Sequence, residues 1–563
     1  MDASTLSARR RNKAIYVDAT AKQAAVDETP SSNLLTRIPA SDPSSDLPLL
    51  TTKGSLPVYR NNTLLEPGCC EEDDPMPCVY SIDSAVLAAL ESLLVYNAGI
   101  NIGPTRISRA IYLFFNTVTS GYNWIRSAPD YLSGTIDGWN WDTRYPVPNT
   151  VDPLDQFVWM NHLLADIMPT LVPGYSAFQL LQDEQTTLRI PAADLAAQVA
   201  RVQATGNYTA WKAAWTIWYT ARQADGSVAA LTPPTTLQKP NGTQTLTVAT
   251  TTDNPNTFPQ PEKWVPLVVG GATKNYYTYG WGDVASTCLS PAEGAAAKAT
   301  AIPFFPTTPQ RTAEIADIVA ITAGLTDVQK ATAEFWAGPP YSVAPPGLLM
   351  LQWRNLMVAE NVGQTTGFPT FFYSGLALAV QLFEAGIVTW DVKRTYMQAR
   401  PIQEVRRLYR GQTLTKYDGT PILGEAWIPY QPANFVTPPF ADFPSGHSTY
   451  SQVFANTMRD WFGARIPVTQ AISIADNNLL SPSFQGIELL RVGTFVFRQG
   501  KSDVEPGVVP ASDVTLSWST WQEMADSAGM SRLYGGIHAM SANTGGQALG
   551  NAVYETVKAR WGF

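Results

Sequence analysis

The sequence predicts an all-α protein built from two helical bundles, with irregular loops and a few short strands. Three observations carry that expectation. Apolar residues recur at helical spacing through most of the chain beyond residue 80. Pro and Gly punctuate these runs at about one-helix intervals, and the one long stretch without a period separates two groups of runs. No internal repeat of fixed period accompanies them.

Residues 1–80 are polar, rich in Pro, Ser and Thr, and read as an extended or partly disordered arm. Residues 81–225 read as a first bundle. Its apolar series are Ala85, Leu87, Leu90, Leu93 and Leu94, then Ile107, Ile111, Phe114, Phe115 and Val118 after Gly103-Pro104. Amphipathic runs over 154–168 and 208–219 follow. Between 226 and 308 Gly, Pro, Thr and Asn dominate, with β-like pieces at 246–251 and 264–269. So long a connection reads as a wrapping segment and not as a free linker. Residues 309–563 read as a second bundle, with helical runs at 313–323, 327–336, 348–362, 371–396, 448–462, 518–534 and 545–561.

The chain has 563 residues, 45% hydrophobic and 15% charged, and a net charge of -9. A large core is affordable, and an acidic balance argues against nucleic acid as partner. The apolar stretches at 85–96 and 371–388 are interrupted by Glu91, Gln381 and Glu384, so neither reads as a membrane span. No apolar run follows the basic start Arg9-Arg10-Arg11, so no secretory signal is read and a cytoplasmic location is the default, unless export takes another route. Cys69, Cys70, Cys78 and Cys288 lack metal-site spacing, and Asp73 and Asp74 read as a solvated acidic turn. The N-x-Thr triplets at Asn61, Asn207 and Asn241 read as chance matches.

Chemistry concentrates in three places. Pro444-Ser445-Gly446-His447 opens a helix, with Pro444 expected at the first helical position; a helix start offers unpaired N–H groups and the positive dipole end to an oxyanion. Lys393 and Arg400 stand seven apart, two helical turns, which predicts one shared face, with Pro401 ending the element. Ser531-Arg532 precedes His538, and Gly536 between them is expected to let backbone approach a ligand. Only three histidines occur, and two lie in these pieces. The third, His162, sits in a mostly apolar run and reads as structural. Each piece alone has an ordinary reading, as a helix start or a solvated cationic face.

Together the three pieces, Lys393…Arg400-Pro401, Pro444–His447 and Ser531-Arg532…His538, form a pattern that resembles the superfamily joining vanadium-dependent haloperoxidases with type 2 acid phosphatases. The length, the extra helical half and Gly103–Ala110 resemble the haloperoxidase branch, as do, more loosely, Trp264–Leu267 and Ala333–Trp336. The resemblance implies a vanadate cofactor. His538 would bind vanadium through an imidazole nitrogen. Lys393, Arg400, Ser445, Gly446 and Arg532 would hold the oxyanion, and His447 would be the acid–base residue. Lys393 would also polarise hydrogen peroxide. Trp390 and Phe440 match positions bordering the halide site, and Phe440 is of the chloroperoxidase type. The implied reaction uses hydrogen peroxide to oxidise bromide, and by the Phe440 match chloride, to a hypohalous acid equivalent that halogenates a small organic acceptor. The resemblance also implies a dimer or larger homo-oligomer.

Two alternatives share the pattern. In a phosphatase the same pocket would hold phosphate and His538 would form a phosphohistidine; a non-catalytic relative would only bind the oxyanion. One departure bears on this choice. Where the family pattern has an Asp four residues after the metal-binding His, this chain has Ala542, leaving Ser541, Asn543 or a backbone carbonyl as substitutes. Glu334 is the candidate acid to partner Arg532.

Overall fold

The computed structural model describes residues 82–99, 103–125, 153–172, 207–231, 260–337, 344–360, 368–469 and 487–561, with short pieces between them. Of the N-terminal arm it includes the strand pieces Tyr16–Val17, Val58–Arg60 and Thr63–Leu65. The readings for the rest of residues 1–80, including Cys69, Cys70, Cys78, Asp73, Asp74 and Asn61, lie outside the described residues, as do Asn241 and the strand expected at 246–251.

The first half supplies helices α1 (Ile82–Gly99), α2 (Gly103–Ile125), α3 (Pro153–Leu171) and α4 (Asn207–Gln223). The second supplies α5 (Pro291–Ala301), α6 (Thr308–Ala323), α7 (Asp327–Ala337), α8 (Ala344–Ala359) and α9 (Phe368–Tyr396). After these come α10 (Pro401–Leu408), α11 (Gly446–Phe462), α12 (Trp521–Tyr534) and α13 (Met540–Trp561). Strands are short. Antiparallel hairpins join β1 (Leu267–Val269) to β2 (Ala272–Lys274) and β3 (Thr413–Thr415) to β4 (Pro421–Leu423). A meander runs β5 (Ile487–Arg491), β6 (Thr494–Phe497), β7 (Val514–Ser517), with Phe495 paired to both Leu489 and Leu516.

The fold is arranged around α9, which is apolar on all sides and therefore central. Phe371, Leu376, Leu378, Leu382 and Phe383 have no exposed surface, and each such burial stabilises by about 2–3 kcal/mol. By length and composition α9 could cross a membrane, but nearly all of it is buried inside the protein. On one side α2 stacks Tyr112 on Phe383 at 4.7 Å and Tyr122 on Phe372 at 4.4 Å; α11 and α13 pack elsewhere on it. One apolar cluster runs from Ile82 to Val557, so both halves of the chain contribute to the core. The irregular segment is tied to α9 through Glu384, whose buried carboxylate accepts from Ser286 Oγ at 2.6 Å and from Thr287 N at 2.7 Å.

Two local expectations are corrected. Lys393 and Arg400 do not share a helix face: α9 ends at Tyr396, Met397 turns left-handed (φ 48°), and Arg400 is the extended N-cap of α10. Pro401 disfavours a helical residue before it, so the helix must stop short of Arg400. Likewise Pro444 is not the first helical residue. Ser445 is the N-cap of α11, its side chain accepting from Ser448 N at 3.3 Å, because a hydroxyl satisfies the third-position N–H that a proline cannot.

Candidate active site

The site gathers at the C-terminal end of α9, the α9–α10 turn, the start of α11 and the α12–α13 link. α13 approaches closely because Gly546 lies against the α11 start; a Cβ there would come 2.6 Å from Ser445 O. The α12–α13 link is held by the N–H groups of Ile537 and His538, both directed at Arg532 O. This places His538, 1% exposed, at the centre.

The two ring nitrogens of His538 have different partners. Nε2 is 3.0 Å from Arg400 Nη1, an obligate donor, so Nε2 presents its lone pair. Nδ1 faces Asp442 Oδ1 and donates to it. Burial, with Arg400 second, pushes His538 well below the ordinary imidazole value, while Asp442 opposes. The ring is therefore neutral, with its proton on Nδ1.

Three cations lie in this cluster, all essentially without exposure: Lys393 and Arg400 act on the charge of His538, and Arg532 neighbours Arg400. Lys393 Nζ donates to Ala441 O at 2.9 Å, to Asp442 O at 3.0 Å and to Pro444 O. Arg400 Nε donates to Phe440 O at 2.6 Å, Nη1 also reaches Ile537 O at 2.8 Å, and buried Nη2 has no hydrogen-bond partner. Arg532 donates to Ser531 Oγ and to Ala333 O, each at 3.0 Å. Burial draws Arg400 down to about 10 against the pull of Asp442, and burial with Arg400 draws Arg532 down to about 9. Burial, then Arg400, lowers Lys393 well below the usual ammonium value. The Gly446 N–H, at the first position of α11, has no acceptor within its own helix.

His447 lies beside this group. Its Nε2–H donates to Trp336 O at 2.8 Å, so Nδ1 keeps a lone pair. Burial and Arg532 push it well below the ordinary value, leaving it neutral. Trp390 and Phe440 meet with ring centroids 4.9 Å apart. The Phe440 ring lies under Lys393 Nζ at 5.1 Å and under the Arg400 guanidinium at 4.8 Å, and Trp390 Nε1 donates to Tyr277 O at 3.1 Å.

The structure revises the supporting cast. Asp442, which the sequence reading passed over, takes the bond to His538 left open by Ala542. Ser541 instead donates to Glu314, and Asn543 accepts from Ser448 Oγ at 2.7 Å. A carboxylate is the stronger acceptor for a buried ring N–H. Burial alone would raise the Asp442 pKa, but Arg311, with Nη2 2.8 Å from Oδ2, then His538 and Arg400 hold it below the carboxylate range. One signal was available: Asp442 is a lone acid amid Phe440, Phe443 and Pro444, five residues before His447. Glu334 does not partner Arg532. It accepts from Tyr430 Oη at 2.5 Å and from Asp503 N at 2.7 Å, and burial raises it to about 7 against the downward pull of these hydrogen bonds. Gly536 (φ 66°) serves packing, not ligand approach, since a Cβ there would come 2.8 Å from Pro429 Cβ. His162 packs on Tyr208 at 4.6 Å, away from these groups.

Buried cations with few counter-charges favour an anion. Among the described residues no cluster of three or more His, Cys, Asp or Glu side chains could hold a bare metal cation. A tetrahedral oxyanion fits the donor set: Arg400 Nη2 lacks a partner, Ser445 has a hydroxyl proton to give, and His538 Nε2 has one lone pair, occupied by Arg400 Nη1, which an anion drawing that guanidinium to itself would release. Vanadate, an oxyanion with a nitrogen-binding metal at its centre, would use all three.

Residues 373–561 match the family model of the VCPO second helical-bundle domain. No curated protein matches the sequence. The fold is similar to an apo-type bacterial vanadium-dependent chloroperoxidase (TM-score 0.54, 17% identity, 81% of this chain and 95% of that one). Its holo-type counterpart gives 0.52 at 16% identity over 81% and 93%. A bacterial vanadium-dependent iodoperoxidase gives 0.51 at 16% identity over 87% and 98%. At these identities the likeness is one of fold.

Proposed function

We propose, from the premise that the second bundle belongs to the VCPO domain family and the chain has the vanadium haloperoxidase fold, that this protein is a vanadate-dependent haloperoxidase. The reaction consumes hydrogen peroxide, a halide and a proton and yields hypohalous acid and water; the acid then halogenates a small organic acceptor. The observation that carries the reading is a cluster of three buried cations about a neutral His538: Arg400 reaches its Nε2, Lys393 acts on its charge, and Arg532 acts on Arg400 and His447 beside it.

When bound, vanadate supplies a Lewis-acid centre that activates peroxide without changing oxidation state. His538 Nε2 would be its protein ligand. The three cations with the Ser445 hydroxyl and the Gly446 N–H hold its oxygens and offset their charge. His447, neutral and with Nδ1 free, would take a proton from hydrogen peroxide and return it to the oxygen that leaves as water. Lys393 adds positive charge beside the peroxide. Trp390 and Phe440 form an apolar wall with cations behind it, suited to a weakly hydrated halide such as bromide. Association of copies of this chain is part of the proposal, by the family resemblance alone.

The test is a paired assay on one metal-stripped sample. Bromination of a dye that needs both vanadate and peroxide is expected. Release of phosphate from an aryl phosphate, with no bromination, would replace the reading by a phosphohistidine phosphatase.

A further inference from the structure

A histidine ligates through Nε2 only if its proton stays on Nδ1, and the groups facing the two ring nitrogens, Arg400 at Nε2 and the acceptor at Nδ1, decide that. Opposite His538 Nδ1 stands Asp442 Oδ1, with both side chains buried. Asp442 is itself clamped from α6. Arg311 Nη2 is 2.8 Å from Asp442 Oδ2 and donates to Ala399 O at 2.7 Å, on the residue before Arg400. Three residues further along α6, Glu314 accepts from Ser541 N at 2.7 Å and from Ser541 Oγ at 2.8 Å, which holds the first turn of α13 just past His538. Ala542 has no exposed surface and no acceptor side chain, while its carbonyl is taken by Ser445 N at 2.8 Å. The helix that follows His538 therefore offers the ring nothing.

We propose that Asp442, clamped by Arg311, is the positioning residue that sets the His538 tautomer and aims Nε2 at the oxyanion pocket. The consequence for affinity rests on the vanadate reading; the tautomer does not. A carboxylate on the loop before α11, and not one on α13, then couples the ring to Ser445 and Lys393, because Lys393 Nζ donates to the Asp442 carbonyl. Arg311 extends that coupling to α6, an element that carries none of the residues expected to touch the anion.

The chain has three histidines, so nitrogen-15 labelling of histidine gives a spectrum in which each ring can be assigned. The first measurement is on the metal-free parent protein at neutral pH. His538 is expected with a protonated Nδ1 and a bare Nε2, and a protonated Nε2 there would overturn the proposal. Asp442→Asn is then titrated with vanadate and with inorganic phosphate. A loss of vanadate affinity of about 10- to 100-fold is expected, with a changed His538 spectrum and partial recovery in Asp442→Glu. Affinity within twofold of the parent with an unchanged ring spectrum would also overturn it. A merely structural Asp442 would lower the melting temperature and leave the tautomer alone. If Asp442→Asn does not fold, the spectrum of Arg400→Ala decides: an Nδ1 proton that persists without the guanidinium on Nε2 supports Asp442, and a proton moved to Nε2 overturns the proposal. If the parent binds no vanadate, the functional reading fails while the ring spectrum still tests the positioning.

Discussion

Arg400 donates from Nη1 to His538 Nε2 at 3.0 Å, although 138 residues separate the two in sequence. The nitrogen that would bind the metal is thus held beside a guanidinium that is itself short of partners. Burial makes the charge on Arg400 costly, drawing its pKa down to about 10, so an anion entering here relieves an electrostatic cost as well as making new bonds. Arg400→Ala is expected to weaken vanadate binding at least tenfold, read by titration calorimetry.

The same argument predicts stabilisation by anions. With ligand at a hundred times its dissociation constant the gain is about 2.7 kcal/mol. Vanadate, and phosphate at higher concentration, should raise the melting temperature of the metal-free protein by a few degrees, and Arg532→Ala should blunt the rise.

His538→Ala should abolish vanadate binding, because the lone nitrogen ligand is gone. His447→Ala should keep bound vanadate and lose turnover by about 10²- to 10⁴-fold. Vanadate titration beside the bromination rate separates the two effects.

Acid should weaken the metal-free fold before the carboxylates titrate. His447 and His538 have folded values below the unfolded value of about 6.5. The unfolded chain therefore binds protons first as pH falls. Their contribution is complete above about 6.5 and is lost below it. Asp442, depressed below its ordinary value, adds a further loss below about 4. Urea midpoints should fall between pH 7 and pH 5, and less steeply in His447→Ala.

Gly546→Ala tests the packing that supports the pocket. The added methyl would meet Ser445 O and Ser448 Cβ at 2.6 and 2.9 Å, with an expected cost of about 1–3 kcal/mol. Because Ser445 must shift, vanadate affinity should fall along with the melting temperature.

Helical periodicity and the three motif pieces were legible because each depends on residues close in sequence. α9 and α11 follow from apolar spacing and from Pro and Gly punctuation. Expectations failed at a local break in the helix and over a distant partner. The shared face expected of Lys393 and Arg400 yields to a left-handed turn at Met397, and the acid expected near Arg532 serves Tyr430 and Ser502 instead.

By itself the sequence determined an all-α chain with a cationic, histidine-bearing pattern suited to an oxyanion, since charge, scarcity of histidine and helical period are properties of the string. Tertiary structure decided which carboxylate serves which ring. Asp442 reaches His538 across 96 residues, and Arg311 reaches Asp442 from another helix. No spacing rule encodes such partners, because a buried charge is satisfied by whatever group the packing of distant elements brings within about 3 Å.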